Sequence, residues 1–355
     1  MKHINIPVFI PHLGCPHTCI FCNQRKISGV KDFNIEDVKL NIDKVLDGLR
    51  GREYEYYTEI AFFGGSFTGI PRDEMIELLE LVQPYLLDGR VNSLRCSTRP
   101  DYIDAEIIEI LKKYGMATVE LGIQSMADKV LRLCNRGHTA AQSEAACKLI
   151  KESGINLVGQ MMTGLPGSEP SDERYTAMRL CMAHADAVRI YPTMVFAQTE
   201  LEKMMRDGRY VPPDEEDTVE RVADLIELFD ANSVPIIRIG LCAGTELETD
   251  AGIVAGGYEP AIGNMAASRV ILRRIMSQLI PMLEGMDRPD GLVIRVQCAV
   301  KMTSAVIGHR RSNREHLKKL CGVTRLIVLE NPEISKYDVK VDIITKCIYH
   351  RILGV

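Results

Sequence analysis

The sequence lacks tryptophan, any excess of basic charge and any long apolar run. The 355 residues carry 43 Lys and Arg against 48 Asp and Glu, a net charge of −5, so no overall field attracts nucleic acid or membranes. A local basic patch is still compatible with this balance. No stretch reaches the roughly 18 apolar residues that a membrane-spanning helix needs. With 46% hydrophobic and 26% charged residues, the chain is not mainly disordered, collagenous or coiled-coil.

The amino-terminal segment also lacks the features of a secretory signal. MKHINIPVFIPHLGCPHTC has a short apolar run that breaks at Pro11, and no small-residue cleavage site follows it. The chain holds 11 cysteines, an odd number that argues against a disulfide framework. Cysteines that stay free or bind metal are typical of reducing compartments, so we expect a cytoplasmic protein without a membrane partner.

Short apolar runs alternate with longer amphipathic stretches over the first two-thirds of the chain. The predicted strands are His3–Ile10, Glu59–Phe63, Ser93–Ser97, Ala117–Ile123, Asn156–Met162 and Ala187–Tyr191. The predicted helices between them are Ile35–Leu49, Arg72–Leu87, Asp104–Tyr114, Ala140–Ser153 and Glu173–Ala183. This alternation predicts an α/β fold with a parallel sheet. Six such units favour a barrel or partial barrel, and a doubly wound open sheet is the alternative.

The pattern changes after a further predicted helix, Asp214–Asn232. A glycine-rich stretch and a long helix at Asn264–Leu283 are followed by four shorter segments, and together they predict a small C-terminal α+β extension. The four segments are the strand Leu292–Ala299, the short helix Asn313–Leu320 and the strands Arg325–Leu329 and Asp338–Ile344. We therefore divide the chain into a core of residues 1–232 and a C-terminal domain of residues 233–355.

The sequence C-P-H-T-C-I-F-C places Cys15, Cys19 and Cys22 directly after the first predicted strand. Three thiolates on one loop can bind three irons of a cubane cluster and leave the fourth iron open to another ligand. The alternative is a zinc site completed by His12 or His17. Zinc sites usually combine two short ligand pairs, and the second pair is missing here.

Polar residues follow the other predicted strands as well. They are Gly64, Gly65 and Ser66 after the second strand, Ser97, Thr98 and Arg99 after the third, Glu120 and Gln124 on the fourth, Asn135–Thr139 beyond it, and Gly159–Gly167 around Met161. A glycine pair allows a ligand to approach the backbone or simply makes a turn. Glu120 belongs either to a site or to a buried pair with an Arg. Because the loops after barrel strands lie on one face, we expect these groups to meet at one mouth.

Together these motifs resemble the radical S-adenosylmethionine (SAM) superfamily. The segments S-T-R-P-D-Y, V-E-L-G-I-Q-S, N-R-G-H-T and M-M-T-G-L-P resemble, more narrowly, the radical SAM module of the Elongator catalytic subunit and its bacterial relatives. The similarity covers roughly residues 5–240. The H-T element also resembles the oxygen-independent coproporphyrinogen oxidases.

The resemblance implies a partial (βα)6 TIM-like barrel with a 4Fe–4S cluster on Cys15, Cys19 and Cys22, whose open iron binds SAM. It also implies SAM-binding roles: Gly64, Gly65 and Ser66 for the amino end, Ser97, Thr98 and Arg99 near the ribose or carboxylate, Gln124 and Met161 near the rest of the cofactor. An electron from a reductant such as a ferredoxin or flavodoxin would cleave SAM, and the resulting 5′-deoxyadenosyl radical would abstract hydrogen from a substrate. No further catalytic residue is assigned.

The substrate is less constrained by the sequence. Elongator-type enzymes carry an acetyltransferase domain, and the residues after 232 are too few for one, so their product is not carried over. A basic cluster in the tail makes tRNA the expected partner, unless the cluster is only a solvated helix face. Its members are Arg269, Arg273, Arg274, Lys301, Arg310, Arg311, Arg314, Lys318, Lys319 and Arg325.

Two further hypotheses compete with a tRNA-directed enzyme. The first is a radical SAM enzyme that acts on a small molecule such as a porphyrinogen. The second is a non-catalytic iron–sulfur or zinc protein, which would bind a metal without cleaving SAM.

Overall fold

The computed structural model describes residues 2–10, 13–15, 19–23, 33–241, 252–257, 259–284 and 291–344. Its contacts divide the chain into two compact units. The first consists of residues 1–214 and 232–258, and the second of residues 215–231 and 259–355. The domain boundary after residue 232, which the sequence suggests, stays a prediction. No helix among the described residues is both long enough and apolar enough to span a bilayer.

The first unit is built on a parallel sheet that contains seven strands of the described chain. They are Lys2–Phe9 (β1), Tyr56–Phe63 (β2), Ser93–Thr98 (β3), Met116–Gln124 (β4), Asn156–Thr163 (β5), Ala187–Pro192 (β6) and, after the short strand Val195–Phe196 (β7), Ile236–Ile239 (β8). The order across the sheet is β1-β2-β3-β4-β5-β6-β8. Because the strand order never reverses, the sheet is an open, curled part of a barrel and not a doubly wound sheet. The predicted α/β partial barrel is confirmed.

The strand β8 is one more than the six that the sequence predicts. It pairs in parallel with β6, with Val188 opposite Ile236 and Ile190 opposite Ile239. Its four residues form the edge of the sheet and are half-buried or exposed. A run this short, lying on an edge, carries little of the apolar signal that identifies an interior strand.

Helices connect the strands of the first unit. They are Ile35–Gly48, Arg72–Leu81, Gln83–Leu87, Ala105–Lys113, Asp128–Leu133, Ala140–Glu152, Pro170–Met182 and Glu200–Arg206. Local chemistry sets their beginnings: Asp104 accepts a hydrogen bond from the Ile107 amide, and Thr139 forms a capping box with Gln142. The single helix predicted over residues 72–87 is instead two helices. Pro84, which has no amide hydrogen, lies at the start of the second.

The second unit contains a three-stranded sheet in the order β11-β10-β12. Its strands are Leu292–Cys298 (β10), Val323–Glu330 (β11) and Val339–Ile343 (β12); a short strand, Ile253–Ala255 (β9), belongs to the first unit and pairs with β7. The strand β11 is parallel to β10, whereas β12 is antiparallel to it. The helices of this unit are Glu215–Ala231, Ile262–Leu283, Thr303–Ile307 and Ser312–Cys321. Buried residues such as Ile271, Ile294 and Leu317 form its core.

Candidate functional site at the carboxyl ends of the strands

The loop that carries the cysteines is packed against the loop after β2. The Ser66 amide donates to the Leu13 carbonyl over 3.0 Å. A side chain on Gly14 would overlap the Ser66 carbonyl, and one on Gly65 would overlap the Leu13 carbonyl. Gly14 also has a φ of +67°, which favours glycine. The two backbones can therefore approach this closely only with glycine at both positions.

Cys15, Cys19 and Cys22 are partly exposed, unlike the buried Cys96, Cys134, Cys147 and Cys298. The Cys22 amide donates to the Cys19 carbonyl over 3.1 Å, which makes a tight turn between them. Burial raises the pKa of the Cys15 thiol, and the neighbouring Cys19 raises it further; Arg136, Arg99 and the Ser66 amide act in the opposite direction. Burial outweighs these opposing groups, so the neutral thiol of Cys15 is favoured, although two arginines that favour a thiolate lie nearby.

Two buried guanidinium groups lie beside these thiols. Arg136 donates from Nη1 to Cys19 Sγ over 3.1 Å and from Nη2 to the Gly122 carbonyl over 2.5 Å. Arg99 is held by Asp101 through two hydrogen bonds of 3.0 and 2.8 Å. Both arginines are at least nine-tenths buried. Their charge favours the anionic form of nearby sulfur and of any carboxylate that binds there.

The predicted residues after β2 and β3 meet through their hydroxyl groups. Ser66 Oγ and Thr98 Oγ1 are 2.9 Å apart, and the Arg99 amide donates to Ser66 Oγ over 3.1 Å. Thr68 Oγ1 lies 2.6 Å from Thr98 Oγ1 and donates to the Tyr102 carbonyl. The structure therefore brings Ser66, Thr98 and Arg99 together next to the cysteine loop.

Two predicted site residues are placed differently. Ser97 Oγ accepts a hydrogen bond of 3.3 Å from Gln160, which also binds Glu120, so Ser97 belongs to a polar layer inside the barrel. Met161 is fully buried in β5. The adjacent Met162 points to the opposite side of the strand and packs against the apolar cluster that contains Ile20 of the cysteine loop.

Glu120 is part of a largely buried polar network with side chains from six strands, β1 to β6. Its carboxylate binds Arg95 at 2.9 Å, Arg189 at 2.7 Å and Gln160 at 2.8 Å. Arg95 continues the network to Glu59, which also binds His3 at 2.7 Å. Of the two interpretations of Glu120, pairing with arginine is therefore correct.

Three buried polar atoms near the cysteine loop have no hydrogen-bond partner among the residues that the structure describes: Gln124 Oε1, Arg136 Nε and His138 Nδ1. Gln124 has a φ of +67°, which is unusual for a residue with a side chain. Burial, with Arg136 as the next cause, lowers the pKa of His138 to about 4. Unsatisfied groups are costly, and they are typical of sites that bind a polar ligand. These atoms therefore fit a polar cofactor beside the thiols.

Three partly exposed thiols on one loop are a donor set that fits a cubane cluster. Among the described residues, no three side chains of Cys, His, Asp or Glu converge closely enough to hold one ion. A cubane needs less convergence, because each of its irons takes its own thiolate. His12 and His17, the fourth ligands of the zinc alternative, lie outside the described residues.

The predicted basic cluster of the second unit is split by the structure. Arg269 pairs with Glu216 and Glu220. Arg273 pairs with Glu220, Asp224 and Glu227. The carboxylates of the helix Glu215–Ala231 thus neutralise these two arginines, which removes Arg269 and Arg273 from the predicted basic cluster. Exposed cations are instead concentrated around one helix: Arg310, Arg311, Arg314, Lys318 and Lys319.

Arg136 and His138 lie in N-R-G-H-T, a segment that the sequence places at the predicted mouth without indicating a role for either residue. The hydrogen bond from Arg136 to Cys19 joins residues 117 positions apart. No local pattern encodes such a contact.

A parallel partial barrel with a three-cysteine loop after its first strand and Gly-Gly-Ser after its second is the architecture of a radical SAM core. The chain belongs to the radical SAM superfamily: the superfamily model matches residues 9–180, and a Radical_SAM C-terminal domain model matches residues 185–274. The protein is therefore a radical SAM enzyme.

The chain is also similar to individual proteins. An uncharacterised protein of Methanocaldococcus jannaschii is 33% identical over 237 residues, which are 64% of this chain and 72% of that protein. The tRNA uridine(34) acetyltransferase of the same organism is 34% identical over 139 residues, 38% of this chain but only 26% of the acetyltransferase. The solved structure of the archaeal Methanocaldococcus infernus Elp3 has a TM-score of 0.60 at 20% identity, and covers 78% of this chain and 63% of the Elp3 chain.

Proposed function

We propose that Cys15, Cys19 and Cys22 bind a 4Fe–4S cluster, that SAM binds at its open iron, and that the substrate is tRNA. The observation that carries the proposal is the hydrogen bond from buried Arg136 to Cys19 Sγ within the three-cysteine loop. A buried arginine that donates to a cysteine sulfur stabilises the negative charge of a thiolate that binds a cluster. Bound there, the two cofactors supply the radical that abstracts hydrogen from the substrate.

The residues of this chain position and shield the cofactors. Gly64 and Gly65 let the backbone approach, and Ser66 and Thr98 present hydroxyl groups at the carboxyl ends of β2 and β3. Arg99, fixed by Asp101, offers a buried positive charge suited to the SAM carboxylate. Gln124 and His138 have unsatisfied atoms for polar groups of the cofactor. Ser97 and Met161 have the weakest structural support.

Two observations support tRNA as the substrate. A relative of similar sequence in its radical SAM region is a tRNA uridine(34) acetyltransferase, although this chain spans only 26% of it. The second unit exposes five cations around the helix Ser312–Cys321. Exposed Lys and Arg clusters neutralise RNA phosphates. A ferredoxin or flavodoxin is the expected electron donor.

The first experiment tests the cofactors. The protein is reconstituted anaerobically with iron and sulfide, reduced with dithionite, and assayed for 5′-deoxyadenosine formed from SAM. The wild type and a Cys181→Ala control should form the product, and a triple Cys15→Ala, Cys19→Ala, Cys22→Ala variant should not. Equal iron content and equal product in the triple variant would contradict the proposed ligands.

A second experiment tests the substrate. Unmodified tRNA should increase the 5′-deoxyadenosine yield of the wild type, and mass spectrometry of the digested tRNA should reveal a nucleoside of changed mass. Porphyrinogen replaces tRNA in the parallel assay. Stimulation by porphyrinogen and not by tRNA would overturn the proposed substrate while leaving the cofactor assignment intact.

A further inference from the structure

The second unit contains two helices inserted between two parallel strands of one sheet. The chain runs from β10 through the helix Thr303–Ile307, a four-residue loop and the helix Ser312–Cys321 into β11. The strand β11 lies beside β10, and β12 pairs antiparallel on the other side of β10. A strand–helix–loop–helix–strand unit on a three-stranded sheet is the arrangement of KH domains, which bind single-stranded nucleic acids. Their G-x-x-G loop clamps the backbone of about four nucleotides.

The loop at the corresponding position reads Gly308-His309-Arg310-Arg311. Gly308 has a φ of +86°, and a side chain there would overlap the Asn313 amide nitrogen. Arg311 occupies the position of the second glycine and keeps a left-handed φ of +69°, as does Arg310 at +50°. The loop thus keeps the left-handed backbone that glycine favours. Arg311 stands where G-x-x-G has its second glycine, and Arg310 stands at the variable position before it.

Hydrogen bonds to neighbouring backbone hold the loop in place. The buried Asn313 donates from Nδ2 to the Ser268 carbonyl over 2.8 Å and to the Ala305 carbonyl over 3.0 Å. The Arg311 amide donates to the Gly308 carbonyl over 2.9 Å. Because the backbone is fixed before any ligand arrives, binding there costs little conformational entropy.

The charge at this loop is strongly positive. From Gly308 to Gly322 the sequence contains five Lys or Arg residues and one acid, Glu315. Arg311, Arg314 and Lys318 recur at three- and four-residue spacing and are exposed, whereas Leu317 faces the core. The rest of the chain must be acidic to give the overall charge of −5. A polyanion is therefore attracted to this surface in particular.

We propose that the loop Gly308–Arg311 and the cationic face of the following helix form a binding site for the sugar–phosphate backbone of single-stranded RNA. The inference deepens the proposed function, on which it rests for the choice of RNA as the polyanion. The site lies wholly within the second unit and needs neither the cluster nor SAM. It would receive an unpaired segment, such as a loop or an end, since the G-x-x-G clamp accommodates one strand.

The test is fluorescence anisotropy with a short labelled single-stranded RNA and with the same strand annealed to its complement. Arg310→Asp is the main variant, because Asp tolerates a left-handed backbone. Arg311→Asn is the second, and removes charge without reversing it. Lys340→Glu, at an exposed position of β12, is the control that changes the net charge by the same two units as Arg310→Asp.

The wild type should bind the single strand more tightly than the duplex. Arg310→Asp should weaken single-strand binding on the order of tenfold and Arg311→Asn severalfold, at unchanged unfolding temperature, whereas Lys340→Glu should change it less than about twofold. The inference is overturned if the duplex binds as well as the single strand, or if Lys340→Glu and Arg310→Asp weaken binding equally. The triple Cys→Ala variant should bind RNA like the wild type, so a failure of the cofactor proposal is distinguishable from a failure of this one.

Discussion

Arg136 connects the cysteine loop to the interior of the barrel. It is buried, donates to Cys19 Sγ at 3.1 Å and is anchored by the Gly122 carbonyl. A hydrogen bond and a positive charge at a cluster sulfur both favour the more negative, reduced state of an iron–sulfur centre. Arg136 therefore acts as a positioning and tuning residue, not as a ligand.

We predict that Arg136→Ala lowers the reduction potential of the reconstituted cluster. A hydrogen bond to a charged group is worth about 1.5–3 kcal/mol, so SAM cleavage with a weak reductant should slow by roughly one to two orders of magnitude. Potentiometric titration followed by electron paramagnetic resonance measures the potential. Arg132→Ala, at an exposed position of the preceding helix, should leave it unchanged. An unchanged potential in Arg136→Ala would contradict the role.

His138 makes the stability of the first unit depend on pH. Burial lowers its pKa in the folded protein to about 4, against 6.5 for the ordinary group. Between these values the unfolded chain binds a proton that the folded chain does not, so stability is full above pH 6.5 and decreases as the pH falls toward 4. The contribution is on the order of 3 kcal/mol.

We predict that His138→Gln reduces this loss of stability between pH 7.5 and pH 5. Urea unfolding of the apoprotein at the two pH values measures the difference. His184→Gln, at an exposed position, should keep the wild-type pH dependence. An equally steep dependence in His138→Gln would show that another group is responsible.

At the scale of elements, the parallel strands are joined inside the barrel by ion pairs. Glu59, Arg95, Glu120 and Arg189 come from β2, β3, β4 and β6, and Glu120 has no exposed surface. Removing one partner of a buried network leaves charge without compensation, which costs about 3–5 kcal/mol. A shift in the register of neighbouring strands would separate these ion pairs, so the network favours the observed register.

Glu120→Gln should therefore destabilise the protein by about 3 kcal/mol or more. Glu106→Gln is a suitable control, because the Glu106 side chain is 73% exposed and lies 3.7 Å from Arg72; its effect should stay within about 0.5 kcal/mol. Denaturant unfolding measures the free energy of unfolding of both variants. Similar stabilities would mean that the network contributes nothing beyond a surface pair.

The close contact between the loop after β1 and the loop after β2 also restricts the sequence. Gly14 and Gly154 both have left-handed backbones, with φ of +67° and +82°, but only Gly14 has backbone atoms where a side chain would lie. Alanine at Gly154 should cost about 1 kcal/mol for the backbone alone. Alanine at Gly14 should cost roughly 2–4 kcal/mol, because the loops must separate as well. Urea unfolding gives both values, and iron per reconstituted chain should fall only in Gly14→Ala.

At the scale of the whole molecule, charge is distributed unevenly along an acidic chain. The carboxylates of the helix Glu215–Ala231 neutralise Arg269 and Arg273, whereas Arg310, Arg311 and Arg314 stay exposed. Affinity for RNA should depend on salt according to the number of phosphates that are contacted.

Replacing Arg310, Arg311 and Arg314 together by Gln should reduce the slope of log K against log salt concentration by about two for single-stranded RNA. Filter binding of a short single-stranded RNA over a salt series measures the slope. The matched triple variant Arg50→Gln, Lys148→Gln, Lys203→Gln removes three exposed cations elsewhere and should keep the wild-type slope. Parallel loss of slope in both triple variants would mean that the attraction is non-specific.

The sequence by itself determined the alternation of strands and helices, and so the parallel α/β core. It also determined the three-cysteine loop, because both signals are local: apolar periodicity along a few residues and the spacing of C-x3-C-x2-C. The edge strand β8 was not predicted, since four residues that are half-buried or exposed carry little periodicity. Pro84 divided one predicted helix into two.

Only the tertiary structure decided which distant groups meet. It placed Arg136 on Cys19, Ser66 against Thr98, and Glu120 between two arginines, and it neutralised Arg269 and Arg273 with carboxylates about fifty residues away in the chain. Ion pairs and hydrogen bonds act over a few ångströms in space, irrespective of separation along the chain. Composition and spacing therefore identify the chemistry available to this protein, whereas the fold selects the charges that are compensated and those that stay available for a ligand.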